Sequence, residues 1–271
     1  MGISSTENIK GVSISLFNTL YLKYIEAKKA NGIISDEKLC EIFNKIDYDF
    51  SKFNTNRYNI LYLSLRTKYF DGIVERFIEG NNKPIVVTLG CGLDTRRYRI
   101  PNNNKAIFVD VDLPEVISLR RRLLPPKCND IYIPVSVTDC NWISALYKYN
   151  NSHSFIFIAE GLLMYLEEAD VRQIMLNIAS IFKNSKLHFD VCSKRYSKRF
   201  NYYDSELKYN VVFKWGIDDD KEIEQWSPNL KHVFTEFLFQ IDTTHLRYFS
   251  VLLKMIPKRY IRYRILSYEI L

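Results

Sequence analysis

Pro84-Ile85-Val86-Val87-Thr88-Leu89-Gly90-Cys91-Gly92-Leu93-Asp94-Thr95-Arg96-Arg97-Tyr98-Arg99 is the stretch that decides the fold. Ile85 to Leu89 is a short apolar run rich in β-branched residues, the pattern of a strand buried on both faces. Gly90 and Gly92 then flank one small residue. Glycine accepts positive φ and has no Cβ, so the pair permits a tight turn and close approach of a ligand to the backbone. An open parallel α/β sheet presents a ligand in this way, at the carboxyl end of a central strand.

The same stretch excludes two common nucleotide sites. A dinucleotide fingerprint needs a third glycine three residues after the second, to let helix and strand pack closely. Thr95 stands there. A P-loop needs a lysine and a hydroxyl residue after its last glycine, and Arg96-Arg97 does not supply them.

Outward from this turn the chain alternates between strand and helix patterns. Ala106–Asp110, Ile131–Val137, Ser154–Ala159 and Leu187–Val191 read as strands. Pro114 suits the first turn of the helix that follows the second strand. Val171, Ile174, Met175, Ile178, Ile181 and Phe182 mark a further helix at 3-4 spacing, with Glu167, Glu168 and Asp170 at its N-terminal end. Leu230–Phe239 is a sixth strand, a helix follows to about Ile256, and Tyr260–Leu271 closes as a strand with alternating sides. Before Pro84 only helices are predicted: Ile9–Asn31, then Asp36–Ile46 behind an aspartate N-cap, then Tyr58–Glu79. Cys192 to about Trp226 is polar and aromatic without strand alternation, and is expected to form helices over the site. Strands alternating with helices at this pitch argue for a parallel sheet covered on both faces.

Composition sets the class. Of 271 residues, 47% are hydrophobic and 25% charged, as in a folded soluble domain. The net charge is +7, yet the basic residues are dispersed, so no nucleic-acid partner is expected. Five cysteines lack any metal or Cys-x-x-Cys spacing, and the four histidines do not cluster. No metal site is expected, and the scattered thiols place the chain in a reducing, cytoplasmic setting. No apolar run reaches membrane-spanning length, so no membrane partner is expected.

Two acids follow the second strand in Phe108-Val109-Asp110-Val111-Asp112-Leu113-Pro114. They lie roughly twenty residues beyond the glycine turn, where a carboxylate can accept from both hydroxyls of a ribose. Asp110 and Asp112 both remain open for that role, and a helix N-cap is the plainer alternative.

Two strings resemble one family. Leu89-Gly90-Cys91-Gly92-Leu93-Asp94-Thr95-Arg96 and Ala159-Glu160-Gly161-Leu162-Leu163-Met164-Tyr165-Leu166 are similar to motifs of the S-adenosylmethionine-dependent methyltransferases related to leucine carboxyl methyltransferase. That family includes bacterial O-methyltransferases of polyketide biosynthesis. The resemblance implies a class I methyltransferase fold, α/β and Rossmann-like, with a seven-stranded, mostly parallel sheet whose last strand is antiparallel. It implies one domain over 1–271: a helical cap (1–83), a cofactor-binding core (84–191), a lid insertion (192–229) and C-terminal strands and helix (230–271). Trp215-Gly216-Ile217-Asp218 resembles part of that lid.

The resemblance also implies S-adenosyl-L-methionine as cofactor and S-adenosyl-L-homocysteine as product. Gly90, Cys91 and Gly92 would line it, with Asp94 bracing the loop and Arg96 meeting a carboxylate. Asp112 matches the family's ribose-side acid. Ser136 and Val137 stand where the family contacts adenine, Ser136 replacing the usual aspartate, with Asp139 nearby. Glu160, followed by Gly161, would accept from the cofactor's α-amino group, an acid paired with a nearby arginine being the plainer alternative; Arg66 would reach the cofactor carboxylate, with Thr67 or Lys68 as the alternatives in register. Tyr165 would wall the pocket, and with Asp190 it is a candidate catalyst. Asp190 ends the fifth strand near the expected acceptor pocket and is the positional candidate for a base; His188 reads as a core residue. The acceptor is expected to be a small molecule with a carboxylate or hydroxyl, in a pocket walled by tyrosines and phenylalanines between Tyr196 and Phe239. Methylation of a protein C-terminal carboxylate and non-catalytic cofactor binding are the alternatives.

Overall fold

The run from Ile85 to Leu89 forms β1 (Pro84–Leu89), buried along its whole length. The computed structural model describes residues 14–198, 212–238 and 263–271. β1 lies between β2 (Ile107–Asp112) and β4 (Ser154–Ala159), parallel to both, with Val87 opposite Val109 on one side and Phe157 on the other. β3 (Ile131–Pro134) extends the sheet beyond β2, and β5 (Lys186–Cys192) extends it beyond β4. β7 (Tyr263–Ile270) inserts antiparallel between β5 and β6 (Leu230–Glu236). The order is β3-β2-β1-β4-β5-β7-β6. The chain leaves β1 toward β2 and β3, then returns to β4. Ligands bind at such a switch point, beyond the carboxyl ends of the strands.

Several boundaries differ from expectation for physical reasons. β2 runs on to Asp112, because its ladder with β3 continues to the Asp112–Pro134 pair. β3 stops at Pro134, which has no N–H to offer the ladder, so Ser136 and Val137 fall in the following loop. The alternation expected along the last strand is absent. Arg264 through Tyr268 are all buried, since β7 is an interior strand covered on both faces. The helix expected up to Ile256 lies largely outside the described residues. Of the segment expected to be helical over the site, 194–198 is helical and 212–217 has no regular structure. A 3-10 turn spans Glu222–Trp226.

The N-terminal helices are α1 (Ser15–Ala27), α2 (Glu37–Phe43) and α3 (Arg57–Gly80). Asp36 caps α2 by accepting from the Leu39 amide at 2.8 Å, and Asn56 caps α3 by accepting from the Tyr58 amide. After the glycine turn come α4 (Arg96–Arg99), α5 (Pro114–Leu123, with the proline in its first turn), α6 (Asn141–Leu146) and α7 (Glu168–Ile181). α7 covers one face of the sheet through Val171, Ile174 and Ile178, while α3 covers the other through Phe70, Val74 and Phe77. Phe17, Leu39 and Ile42 share an apolar cluster with Leu93 and with Val116, Leu119 and Leu123 of α5. α1 and α2 are thereby seated over the glycine turn. Among the described residues, no helix is long and apolar enough to cross a membrane.

Candidate cofactor and acceptor site

The glycine turn is built as the residue types require. Gly90 and Gly92 have φ of +65° and +49°. The Gly90 amide donates to the Val111 carbonyl at 2.8 Å, which folds the turn over the end of β2. The Gly92 amide donates to Asp112 Oδ2 at 2.7 Å, and the Leu113 amide donates to Asp112 Oδ1 at 2.8 Å. Burial raises the Asp112 carboxyl above its ordinary value, against the pull of these two amides. Thr95, standing where a dinucleotide site has its third glycine, is fully buried and donates to Asp36 Oδ2 at 2.5 Å. The turn is thus tied to the N-terminal end of α2.

Asp110 points elsewhere. Its Oδ2 receives Arg120 Nε at 3.0 Å and Nη2 at 2.6 Å, and both side chains are buried. Arg120 Nη1 donates onward to the carbonyls of Gly92 and Asp94. Asp110 therefore anchors an arginine that braces the glycine turn from behind, and it does not line the cavity. The sequence left Asp110 and Asp112 open; the structure brings only Asp112 to the cavity.

The end of β4 carries a dense ionic cluster. Glu160 Oε1 receives Lys23 Nζ at 3.2 Å, Arg66 Nε at 3.2 Å and Thr67 Oγ1 at 3.3 Å, and Oε2 receives Arg96 Nη2 at 2.5 Å. Burial would raise this carboxyl, but the charges of Lys23, Arg66 and Arg96 overcome it and bring it down to about 2. Arg96 also meets Asp71 at 3.0 Å and Asp94 at 2.9 Å. Burial opposes ionisation of Asp94 too, and Arg96 and Arg99 hold it well below the ordinary carboxylate range. Arg96 is nearly fully buried and lies outside the cavity lining, behind Glu160.

Asp190 differs most from expectation. A base needs an open path to its proton. This carboxylate is completely buried, receives Arg66, Tyr62 and Gly161, and does not line the cavity. His188 is likewise internal. Its Nδ1 lies 2.8 Å from the Ser267 hydroxyl, and burial takes its pKa down to about 3.

A cavity of about 420 Å³ connects these groups. One half is lined by Gly90, Cys91, Gly92, Asp94, Asp112, Ser136 and Val137, and reaches Arg66, Glu160 and Gly161. Burial pushes the Cys91 thiol well up, so it lines the cavity as a small apolar group. Ser136 bonds Thr138, and Trp142 Nε1 donates to the Val137 carbonyl at 3.0 Å. Asp139 receives the Asn141 amide and does not line the cavity. The other half is walled by Tyr62, Tyr165, Tyr196, Phe213 and Tyr263. Tyr62 stacks on Tyr263 at 4.6 Å, and Tyr196 meets Tyr263 edge-on at 5.0 Å.

Lys23, Tyr62 and Tyr263 were not singled out in the sequence. Leu16, Thr19 and Lys23 all line the cavity at helical spacing on α1, as do Tyr62 and Arg66 on α3. That 3-4 spacing was the available signal, but nothing local distinguishes a cavity-facing stripe from a core-facing one.

The donor set suits S-adenosylmethionine. A positive-φ glycine without Cβ opens the backbone beside Asp112. A Cβ at Gly92 would meet only Leu16, at ordinary contact distance. An anionic Glu160 flanked by Lys23 and Arg66 matches both charges of an amino-acid head group.

Comparison with known proteins agrees. The family model of leucine carboxyl methyltransferases matches residues 23–179. The tetracenomycin polyketide synthesis O-methyltransferase TcmP of Streptomyces glaucescens is 27% identical over 274 residues, covering 98% of this chain and 99% of that protein. The S-adenosyl-L-methionine-dependent methyltransferase dpfgK of Gibberella zeae is 24% identical over 243 residues, covering 83% and 81%. A solved DUF574 family protein from Streptomyces avermitilis shares the fold at 12% identity, with a TM-score of 0.56 over 93% of this chain and 97% of that one. The chain belongs to the leucine carboxyl methyltransferase family and is an S-adenosylmethionine-dependent methyltransferase.

Proposed function

We propose that the chain methylates an oxygen of a small, largely apolar molecule bearing a carboxylate or an acidic hydroxyl. In this reading Asp112 accepts from the ribose, and the Val137 amide and Ser136 meet the adenine. Glu160 takes the α-amino group, while Lys23 and Arg66 take the α-carboxylate. Arg96 keeps Glu160 ionised and aimed. S-adenosylmethionine, when bound, supplies a methyl group already activated on a sulfonium. The chain's own work is then to bind, to align and to exclude water.

The observation that carries the reading is that every described carboxylate lining the cavity is already held. Asp94 is held by arginines, Asp112 by two amides, and Glu160 by three cations. No described histidine lines the cavity. Burial pushes the Tyr62 and Tyr263 phenols well above their ordinary value, so neither takes up a proton role near neutrality. An acceptor that arrives ionised needs no base, and a carboxylate does so at neutral pH. The aromatic half supplies an apolar wall for the rest of the acceptor. The likeness to TcmP along the whole chain supports an acceptor from polyketide or other secondary metabolism.

The test uses S-adenosylmethionine labelled in its methyl group, a metabolite extract and a protein extract. Label on an oxygen of a small product is the expected result: methanol released under mild base marks the ester of a carboxylate, and a base-stable methyl ether marks an acidic hydroxyl. Label on nitrogen or carbon overturns oxygen transfer. Label confined to protein C-termini supports the alternative, carboxyl methylation of a protein, and overturns the small-molecule reading.

A further inference from the structure

Asp190 sits at the junction of the two cavity halves, without lining either. Three donors from separate parts of the chain converge on it. Arg66 Nη1 donates to Oδ2 at 2.9 Å, and the Tyr62 hydroxyl donates to the same oxygen at 3.2 Å. The Gly161 amide donates to Oδ1 at 2.6 Å. Tyr62 and Arg66 are four residues apart on α3 and leave it on one face. The guanidinium also lies over the Tyr62 ring, 5.5 Å from its centroid. Arg66 continues to Glu160 at the ionic end, and the Tyr62 ring stacks on Tyr263 in the aromatic wall. One buried oxygen is therefore shared between a group of each half. The third donor fixes the backbone against which the guanidinium lies. Gly161 has φ of +68°, and a Cβ there would stand 2.9 Å from Arg66 Nη2.

We infer that Asp190 is a positioning residue that couples the two halves, aiming Arg66 at the cofactor and Tyr62 at the acceptor from one carboxylate. The inference rests on the reading of Arg66 as a cofactor ligand. A cofactor carboxylate arriving at Arg66 offers the guanidinium a third acid. The hold of Arg66 on Asp190 Oδ2 then loosens, and that oxygen turns its bond toward Tyr62. Any such coupling of binding energies is reciprocal, so an ordered Tyr62 favours cofactor in return.

The test measures S-adenosylhomocysteine affinity by calorimetry for the wild type, Arg66→Gln, Asp190→Asn and the double variant. Arg66→Gln should weaken binding by about ten- to a hundredfold, the size of a charged hydrogen bond. Asp190→Asn keeps the shape and removes the charge, and should weaken binding by about three- to thirtyfold. In the Arg66→Gln background it should add less than about twofold, because the group it acts through is gone. A general folding defect would instead add in full, and that outcome overturns the inference, as does an unchanged affinity in folded Asp190→Asn. If Arg66→Gln itself binds normally, the cofactor reading of Arg66 fails first. If it binds weakly while Asp190→Asn binds normally, only the coupling fails. A second readout covers an Asp190→Asn chain that does not fold. In protein carrying 3-fluorotyrosine, the Tyr62 resonance, assigned by its loss in Tyr62→Phe, should move on saturation with S-adenosylhomocysteine. It should stay in place in saturated Arg66→Gln. A Tyr62 resonance that does not move in the wild type, or that moves equally without Arg66, overturns the coupling.

Discussion

Asp112 and Glu160 both stand at the carboxyl end of the sheet, and they are held by opposite means. Asp112 is held by backbone amides, one from the glycine turn and one from its own neighbour. Glu160 is held by side chains from α1, α3 and α4. Amide donors survive every substitution except proline, and they carry no net charge. Side-chain donors can be removed one at a time, each leaving an opposite charge buried. The turn should therefore tolerate change in its surroundings, and the cluster should not.

The largest effect is expected at Glu160. Glu160→Ala leaves Lys23, Arg66 and Arg96 crowded together without their shared acid. Removing one partner from a buried ionic group costs about 3–5 kcal/mol. Denaturant unfolding should show a loss of that size, with Glu160→Gln losing less because it still accepts hydrogen bonds. The pH dependence carries the same signature. The folded carboxyl lies at about 2 against an ordinary 4.5, so its contribution is full above 4.5 and fades as pH falls toward 2. A fall of that size corresponds to about 3 kcal/mol. The stability gap between the wild type and Glu160→Gln should close across that window. A gap unchanged down to pH 2 would show that charge is not what holds Glu160.

The same contrast explains what was legible in advance. The glycine turn, Asp112 and Glu160 lie in contiguous strings whose residue types are dictated by local geometry. Lys23 and Arg66 meet Glu160 from 137 and 94 residues away. Nothing near Lys23 marks it, because its role depends on how α1 is laid over the turn. Asp110 and Asp112 share a strand face and looked equivalent. Arg120, ten residues beyond Asp110 on α5, takes one and leaves the other. Asp190 read as a base from its place at a strand end, and only the packing around it shows that Arg66, Tyr62 and the Gly161 amide already hold it. The final strand misled in a simpler way, because a strand covered on both faces has no pattern of sides to read.

The next effect is on affinity rather than stability. Asp112→Ala removes a charged acceptor from the cofactor half, while the Gly92 and Leu113 amides remain free to bond water. Binding of S-adenosylhomocysteine should weaken by about 1.5–3 kcal/mol, as read by calorimetry. Unfolding should move by less than in Glu160→Ala. A variant with normal affinity would remove Asp112 from the cofactor site and break the parallel with Glu160.

The smallest expected effect separates backbone from side chain within the turn itself. Gly92 has φ of +49°, and a Cβ there would meet Leu16 Cβ at 3.6 Å, an ordinary contact. Gly92→Ala therefore has room, and its cost is the left-handed backbone alone, about 1–2 kcal/mol. Gly161 is the counterpart at the ionic end. Its φ of +68° imposes a similar backbone cost, and a Cβ there would also stand 2.9 Å from Arg66 Nη2. Gly161→Ala must therefore displace the guanidinium from between Glu160 and Asp190, or move the β4 end. Paired unfolding measurements should show Gly161→Ala losing more stability than Gly92→Ala. The excess should shrink when Arg66→Gln shortens the side chain that the new Cβ would strike. Equal losses in the two variants would mean that the cluster yields as readily as the turn, contrary to a site in which one carboxylate is held by fixed backbone and the other by a tightly packed set of charges.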